Sequence, residues 1–124
     1  MSSKLNELPT VPCYGELWLL RNSERIKELS KDYRPVLIIS DNERNKYDKS
    51  VVALPLTTDD LDDILIVEVF IQNTPETGLD KPSKILCDSP FTWEKGLRFK
   101  KKLGVVSPEM MERVKKTFKV AFNL

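Results

Sequence analysis

A chain of 124 residues, 40% of them apolar, supports one domain with a modest core and excludes a collagen-like, coiled-coil or disordered polymer. A net charge of +1 is too near neutral to argue for nucleic acid by itself. No apolar run approaches the ~20 residues that span a bilayer, and the opening MSSKLNELPTVPC lacks the apolar segment of a signal peptide.

Two cysteines, Cys13 and Cys87, fall short of a disulfide framework, and a chain without histidine makes them a poor metal set. They read as reduced thiols of a cytoplasmic protein, a bridge between them being the other reading. Charge is unevenly spread: Asp59, Asp60, Asp62 and Asp63 form an acidic block, and Lys95, Arg98, Lys100, Lys101 and Lys102 a basic one. Taken alone, each is a solvated loop or strand edge.

In chain order, residues 1–12 are polar with two prolines and read as a flexible arm before a single domain over 13–124. Tyr14 to Leu20 forms a first strand. The charged stretch from Arg21 to Asp32, with only Ile26 and Leu29 as sizeable apolar anchors, is expected to be a mobile loop with at most a helical turn. Arg34-Pro-Val-Leu-Ile-Ile-Ser40 is a buried strand with Pro35 at its beginning, where a missing N–H is tolerated.

Asp41 to Ser50 reads as a polar turn, and Val51 to Thr57 as a strand whose Pro55 implies an edge or a bulge near its end. Ile64 to Ile71 alternates as another strand, Asn73 to Ser83 is a loop, Lys84 to Cys87 a short strand, and Leu103 to Val106 the last. A helix closes the chain, with Ser107 as N-cap, Pro108 at the first helical position and Glu109 at the positive end of the dipole. Met111, Val114, Phe118, Ala121 and Phe122 make its apolar stripe, which is core packing. Short strands with one terminal amphipathic helix suggest a small barrel capped by a helix.

The order of short motifs goes further. Gly15-Glu16-Leu17-Trp18 opens the first strand, Arg34-Pro35-Val36 the second, and Leu54-Pro55-Leu56-Thr57-Thr58 ends the third. Leu86-Cys87-Asp88 leads into a loop holding Thr92, and Lys102-Leu103-Gly104 precedes Ser107-Pro108-Glu109-Met110-Met111. From about Tyr14 to Leu124 this series resembles the MazF/PemK (Kid) toxins, in which similar short motifs occur in this order. The resemblance implies a mainly β fold, an SH3-like β-barrel of the MazF/CcdB type with a C-terminal α-helix. It further implies a homodimer, and a cognate antitoxin that lays a peptide across the RNA groove. The implied activity is a sequence-selective endoribonuclease of single-stranded mRNA, using neither metal nor cofactor.

Cleavage of that kind uses the ribose 2′-OH as nucleophile. The site must help remove its proton, stabilise the phosphorane and assist the departing 5′-oxygen. Arg34 matches the family's RPV arginine, and its guanidinium fork suits electrostatic stabilisation of the phosphorane; an isolated arginine would read as a surface ion pair. Thr57 matches a strand-end threonine that binds a non-bridging oxygen, with Thr58 as a weaker companion; each could equally close a strand. Asp88 matches the aspartate of the family's CDQ, a general base or a turn cap.

Trp18 reads as core. Phe91 and Trp93, in a predicted loop, are candidates to stack on unpaired bases, and Lys95, Arg98, Lys100 and Lys101 could follow the RNA backbone. Three departures stand out. Leu86 replaces an arginine found in some relatives, Phe91-Thr92 replaces a cation-containing pair, and Arg25 to Tyr33 lacks the usual glycine, with Glu28 one position out of register. The acidic block after Thr58 would also repel phosphate if it faced the groove. The rival readings are a CcdB-like poison of DNA gyrase on the same barrel, and a catalytically degenerate member that still binds its antitoxin.

Overall fold

The computed structural model describes residues 11–21 and 33–124, apart from the side chains of Leu97 and Arg98. Residues 1–10 and 22–32 lie outside the described residues, and with them most of the expected arm and of the expected loop.

Seven strands make one antiparallel sheet: β1 (Glu16–Arg21), β2 (Tyr33–Ile38), β3 (Ser50–Thr57), β4 (Glu68–Ile71), β5 (Ser83–Leu86), β6 (Phe91–Glu94) and β7 (Phe99–Val105). Their order is β4-β5-β3-β2-β1-β7, with β6 also on β3. The helices are α1 (Asn42–Tyr47), the single turn α2 (Lys95–Arg98) and the terminal α3 (Pro108–Phe122). The fold is thus mainly β with a C-terminal helix, as expected, although β4 and β7 do not pair to close the barrel.

Backbone contact bridges that opening instead. The Val105 N–H donates to the Glu76 carbonyl at 2.8 Å. A β-carbon on Gly104 would stand 2.1 Å from the same carbonyl oxygen, and one on Gly78, whose φ is +69°, would stand 1.9 Å from the Leu103 oxygen. Only glycine lets the two backbones lie this close.

Directly opposed residues of an antiparallel sheet share a face. One face buries Leu17, Leu37, Leu54, Leu56 and Ile85 with Met111 and Val114 of α3. The other buries Trp18, Leu20, Val36, Ile38 and Ala53 with Trp93. The motif around Glu16 is structural: its Oε1 accepts from the Trp18 Nε1–H at 2.8 Å and the Cys13 N–H at 2.9 Å, while Oε2 pairs with Lys102 at 3.1 Å.

Several expectations need correction. The segment after Asp41 is a helix rather than a turn, because Asp41 caps it by accepting from the Glu43 N–H and the buried Asn45 amide donates to the Pro12 and Ser40 carbonyls. The fourth strand begins only at Glu68; before it, the Glu68 N–H bonds the Leu65 carbonyl in a turn and the Glu68 carboxylate takes the Leu65 N–H. The second strand opens one residue earlier, at Tyr33, so Pro35 is its third residue, and the last strand starts at Phe99 rather than Leu103. Pro55 is buried in a central strand, opposite Val36, but its other flank is where β3 passes from β6 (through Ala53) to β5 (from Leu56). The terminal helix is as read, with the Ser107 hydroxyl accepting from the Met110 N–H.

Candidate active site

Strand register brings two of the candidate residues together. In the β2–β3 ladder Val36 opposes Pro55 and Leu37 opposes Leu54; two residues further along, the same register sets Arg34 against Thr57. The side chains agree, because Arg34 Nη1 donates to the carbonyl of Leu56 at 2.9 Å. Thr57 in turn opposes Lys84 on β5, and Lys84 opposes Phe70 on β4. A row across β2, β3 and β5 therefore carries Arg34, Thr57 and Lys84 on one face of the sheet.

Arg34 is only 5% exposed, so it is no solvated surface group. Burial pulls its pKa below the ordinary value, and the Asp59 carboxylate works in the other direction; a guanidinium stays cationic through such a shift. The acidic loop thus does bear on this face. Thr57 is half-buried, and its hydroxyl oxygen accepts from the Asp59 N–H at 3.1 Å. Its hydroxyl hydrogen can then be donated to a phosphate oxygen.

Lys84 escaped the sequence reading. It is buried, pairs with Glu68 at 2.9 Å, and donates to the carbonyls of Asp60 at 3.0 Å and Asp63 at 3.3 Å. Its only signal in the sequence is a lysine inside an otherwise apolar strand.

The remaining candidates are dispersed. Asp88 is exposed beyond β5, four positions past Lys84 and so further along the strand direction than the Arg34–Thr57 row, and its carboxylate accepts from the Ser89 hydroxyl. Phe91 and Trp93 lie on β6 rather than in a loop. Trp93 is 3% exposed and packed in the core, so it offers no ring face to a base, while the half-buried Phe91 ring leans on it at 5.6 Å. Lys95 is tied down as well, its ammonium bonded to the Asn45 carbonyl. Arg98 falls in α2 and its side chain lies outside the description.

Lys100 and Lys101 are exposed on β7. Lys101 joins Thr58, Tyr33, Pro35 and Lys81 around a cleft of about 360 Å³. Pro35 and Lys101 both lie on rows through Leu19, the face opposite to Arg34, so this cleft is separate from the Arg34–Thr57 row.

Comparison with known proteins agrees with the motifs. Residues 14–122 match the model of the PemK-like, MazF-like toxins of type II toxin–antitoxin systems. No curated protein sequence matches the chain. Among solved structures, an endoribonuclease from a mycobacterial species in complex with its cognate antitoxin is similar at 25% identity and a TM-score of 0.74, over 91% of this chain and 96% of that one. The Mycobacterium tuberculosis toxin MazF-mt6 aligns at 21% identity and a TM-score of 0.70, over 88% and 97% of the two chains. A MazE-MazF structure from Deinococcus radiodurans aligns at 17% identity and a TM-score of 0.72, over 93% and 98%. With a family match spanning all seven strands and the terminal helix, the chain belongs to the PemK-like, MazF-like toxin family of type II toxin–antitoxin systems.

Proposed function

We propose that the protein is an endoribonuclease toxin that cuts single-stranded mRNA at selected sequences, with the Arg34–Thr57 pair at its reacting phosphate. The observation that carries this reading is the cross-strand pairing of a buried arginine with a strand-end threonine whose hydroxyl oxygen is already engaged by a backbone N–H. Arg34 supplies a permanent positive charge close to Thr57, suited to the dianionic phosphorane. Thr57 donates to a non-bridging oxygen. The attacking 2′-OH yields a 2′,3′-cyclic phosphate and a 5′-hydroxyl. The similarity to a mycobacterial endoribonuclease supports the activity, and its bound antitoxin supports a cognate antitoxin as partner.

Asp88 remains a candidate base only if a second subunit or a loop movement carries it to the phosphate. A homodimer fits the apolar surface at the end of α3, where Val120 is 58% and Leu124 80% exposed. The deciding experiment incubates purified protein with a long unstructured RNA, with and without EDTA, and maps the product ends. Discrete cuts with cyclic-phosphate ends in both conditions are expected. Intact RNA would favour a protein-directed poison or a degenerate member, and loss of cutting in EDTA would remove the metal-independent chemistry.

A further inference from the structure

The most heavily engaged buried cation among the described residues that this chemistry does not use is Lys84. Its ammonium makes three contacts: the Glu68 carboxylate at 2.9 Å, the Asp60 carbonyl at 3.0 Å and the Asp63 carbonyl at 3.3 Å. Glu68 also accepts the Leu65 N–H at 2.9 Å, so the pair grips the segment 60–65 from three directions. The backbone turns sharply there: Asp60 has φ +52°, and the Asp63 N–H closes onto the Asp60 carbonyl at 3.2 Å. An aspartate held at positive φ needs neighbours that fix it, and Lys84 is one of them. The carbonyls thus point inward at Lys84 while all four aspartates of the block are exposed.

Two consequences reach the reacting face. The residue just before this turn, Asp59, gives its N–H to the Thr57 hydroxyl oxygen, and so turns the hydroxyl hydrogen away from that amide and narrows the directions it can take. The same residue carries the carboxylate nearest in effect to Arg34. Lys84 is also the direct cross-strand neighbour of Thr57, which places the anchor of the loop and the residue it serves on adjacent strands.

We propose that Lys84, with Glu68, is a positioning residue that locks the acidic loop against the reacting face, orienting the Thr57 hydroxyl while holding an anionic carboxylate beside Arg34. The inference rests on the ribonuclease reading. Its signature is a split: releasing the loop costs turnover, because Thr57 loses its alignment, yet eases binding of a polyanion, because the carboxylates withdraw. Misalignment by about an ångström is worth up to 10²-fold in rate, so a 10- to 100-fold fall in kcat is expected.

The test compares the wild type with the double variant Lys84→Met, Glu68→Gln, which removes both charges of the pair together. Single-turnover cleavage of a defined oligonucleotide gives the rate. Affinity is read from an all-2′-O-methyl copy that cannot be cut. The expected result is the fall in rate with equal or tighter binding, and a binding advantage that shrinks as salt rises. Lys84→Arg, which keeps the charge, should recover part of the rate.

A folded double variant with unchanged rate and affinity overturns the proposal, as does one whose only change is a lower melting temperature. If the double variant does not fold, hydrogen exchange of the Asp59 amide in the wild type decides. Protection supports the lock, and exchange at the rate of an open loop overturns it. A wild type that cuts no RNA sinks the ribonuclease reading instead, which the exchange measurement distinguishes from failure of the lock.

Discussion

Arg34 donates from Nη1 to the carbonyl of Leu56, the residue immediately before Thr57, so the cation is bonded to the backbone of the strand end it serves. On the ribonuclease reading, Arg34→Ala should slow cleavage about 10²–10³-fold, the loss typical of one oxyanion donor. Arg34→Lys should rescue little, since a point charge lacks the guanidinium fork. Because the donor is buried, the alanine variant should also lose roughly 1–3 kcal/mol of stability. Cleavage rates at saturating folded enzyme, beside chemical denaturation, separate the two effects; a wild-type rate would remove Arg34 from the chemistry.

The seam between Gly78 and Gly104 predicts an asymmetry among glycines. Gly104→Ala should cost about 1–3 kcal/mol, as forced overpacking does, because its new methyl meets backbone rather than a movable side chain. Gly78→Ala should cost more, adding the positive-φ penalty of about 1–2 kcal/mol. Gly96, whose β-carbon would meet nothing within 4 Å, should tolerate alanine or gain up to about 1 kcal/mol. Urea denaturation of the three variants checks the ranking, and equal values for Gly104 and Gly96 would contradict the close approach.

Burial pushes the Cys87 thiol up to about 12 from an ordinary 9.0, with Asp88 and Glu68 adding to the rise. The unfolded chain therefore loses this proton first as pH rises. The sign follows: the contribution to stability is fully present below pH 9 and is lost between about 9 and 12. Melting temperature against pH should fall more steeply over that window in the wild type than in Cys87→Ala. Parallel curves would mean that the thiol is accessible in the native state, and so would rapid alkylation of Cys87 in the native protein.

The end of α3 presents Val120 and Phe122, 58% and 42% exposed, beyond the buried Met111 and Val114. Sedimentation at micromolar concentration should report a dimer, and Val120→Asp should shift it towards monomer if this surface lies in the interface. A monomeric wild type would count against any groove shared between subunits.

Much of the architecture was legible because it depends on local rules. The α3 start follows from Ser107 and Pro108, and the β2 strand from its β-branched run. The candidate face was half legible, since Arg34 and Thr57 sit in recognisable motifs, but their meeting depends on the β2–β3 register, which no local pattern fixes. Lys84 and Lys95 look like surface cations until the carbonyls that hold them are seen, and those come from residues 21 to 50 positions away. Trp93 was misplaced for the opposite reason. Proline and polar neighbours suggested a loop, whereas pairing with Val51 draws it into the core.

The sheet joins β1 to β7, Glu16 opposite Val105, so a strand made early finds its outer neighbour only after some ninety intervening residues have been synthesised. Such long-range pairing is slow to form and leaves β1 with an open edge in the growing chain. Translation of this protein therefore yields a native sheet only once residues 99–105 have been made. On the ribonuclease reading, assembly in that order spares the ribosome and message producing the chain until β7 has been made, and that interval is open to a cognate antitoxin.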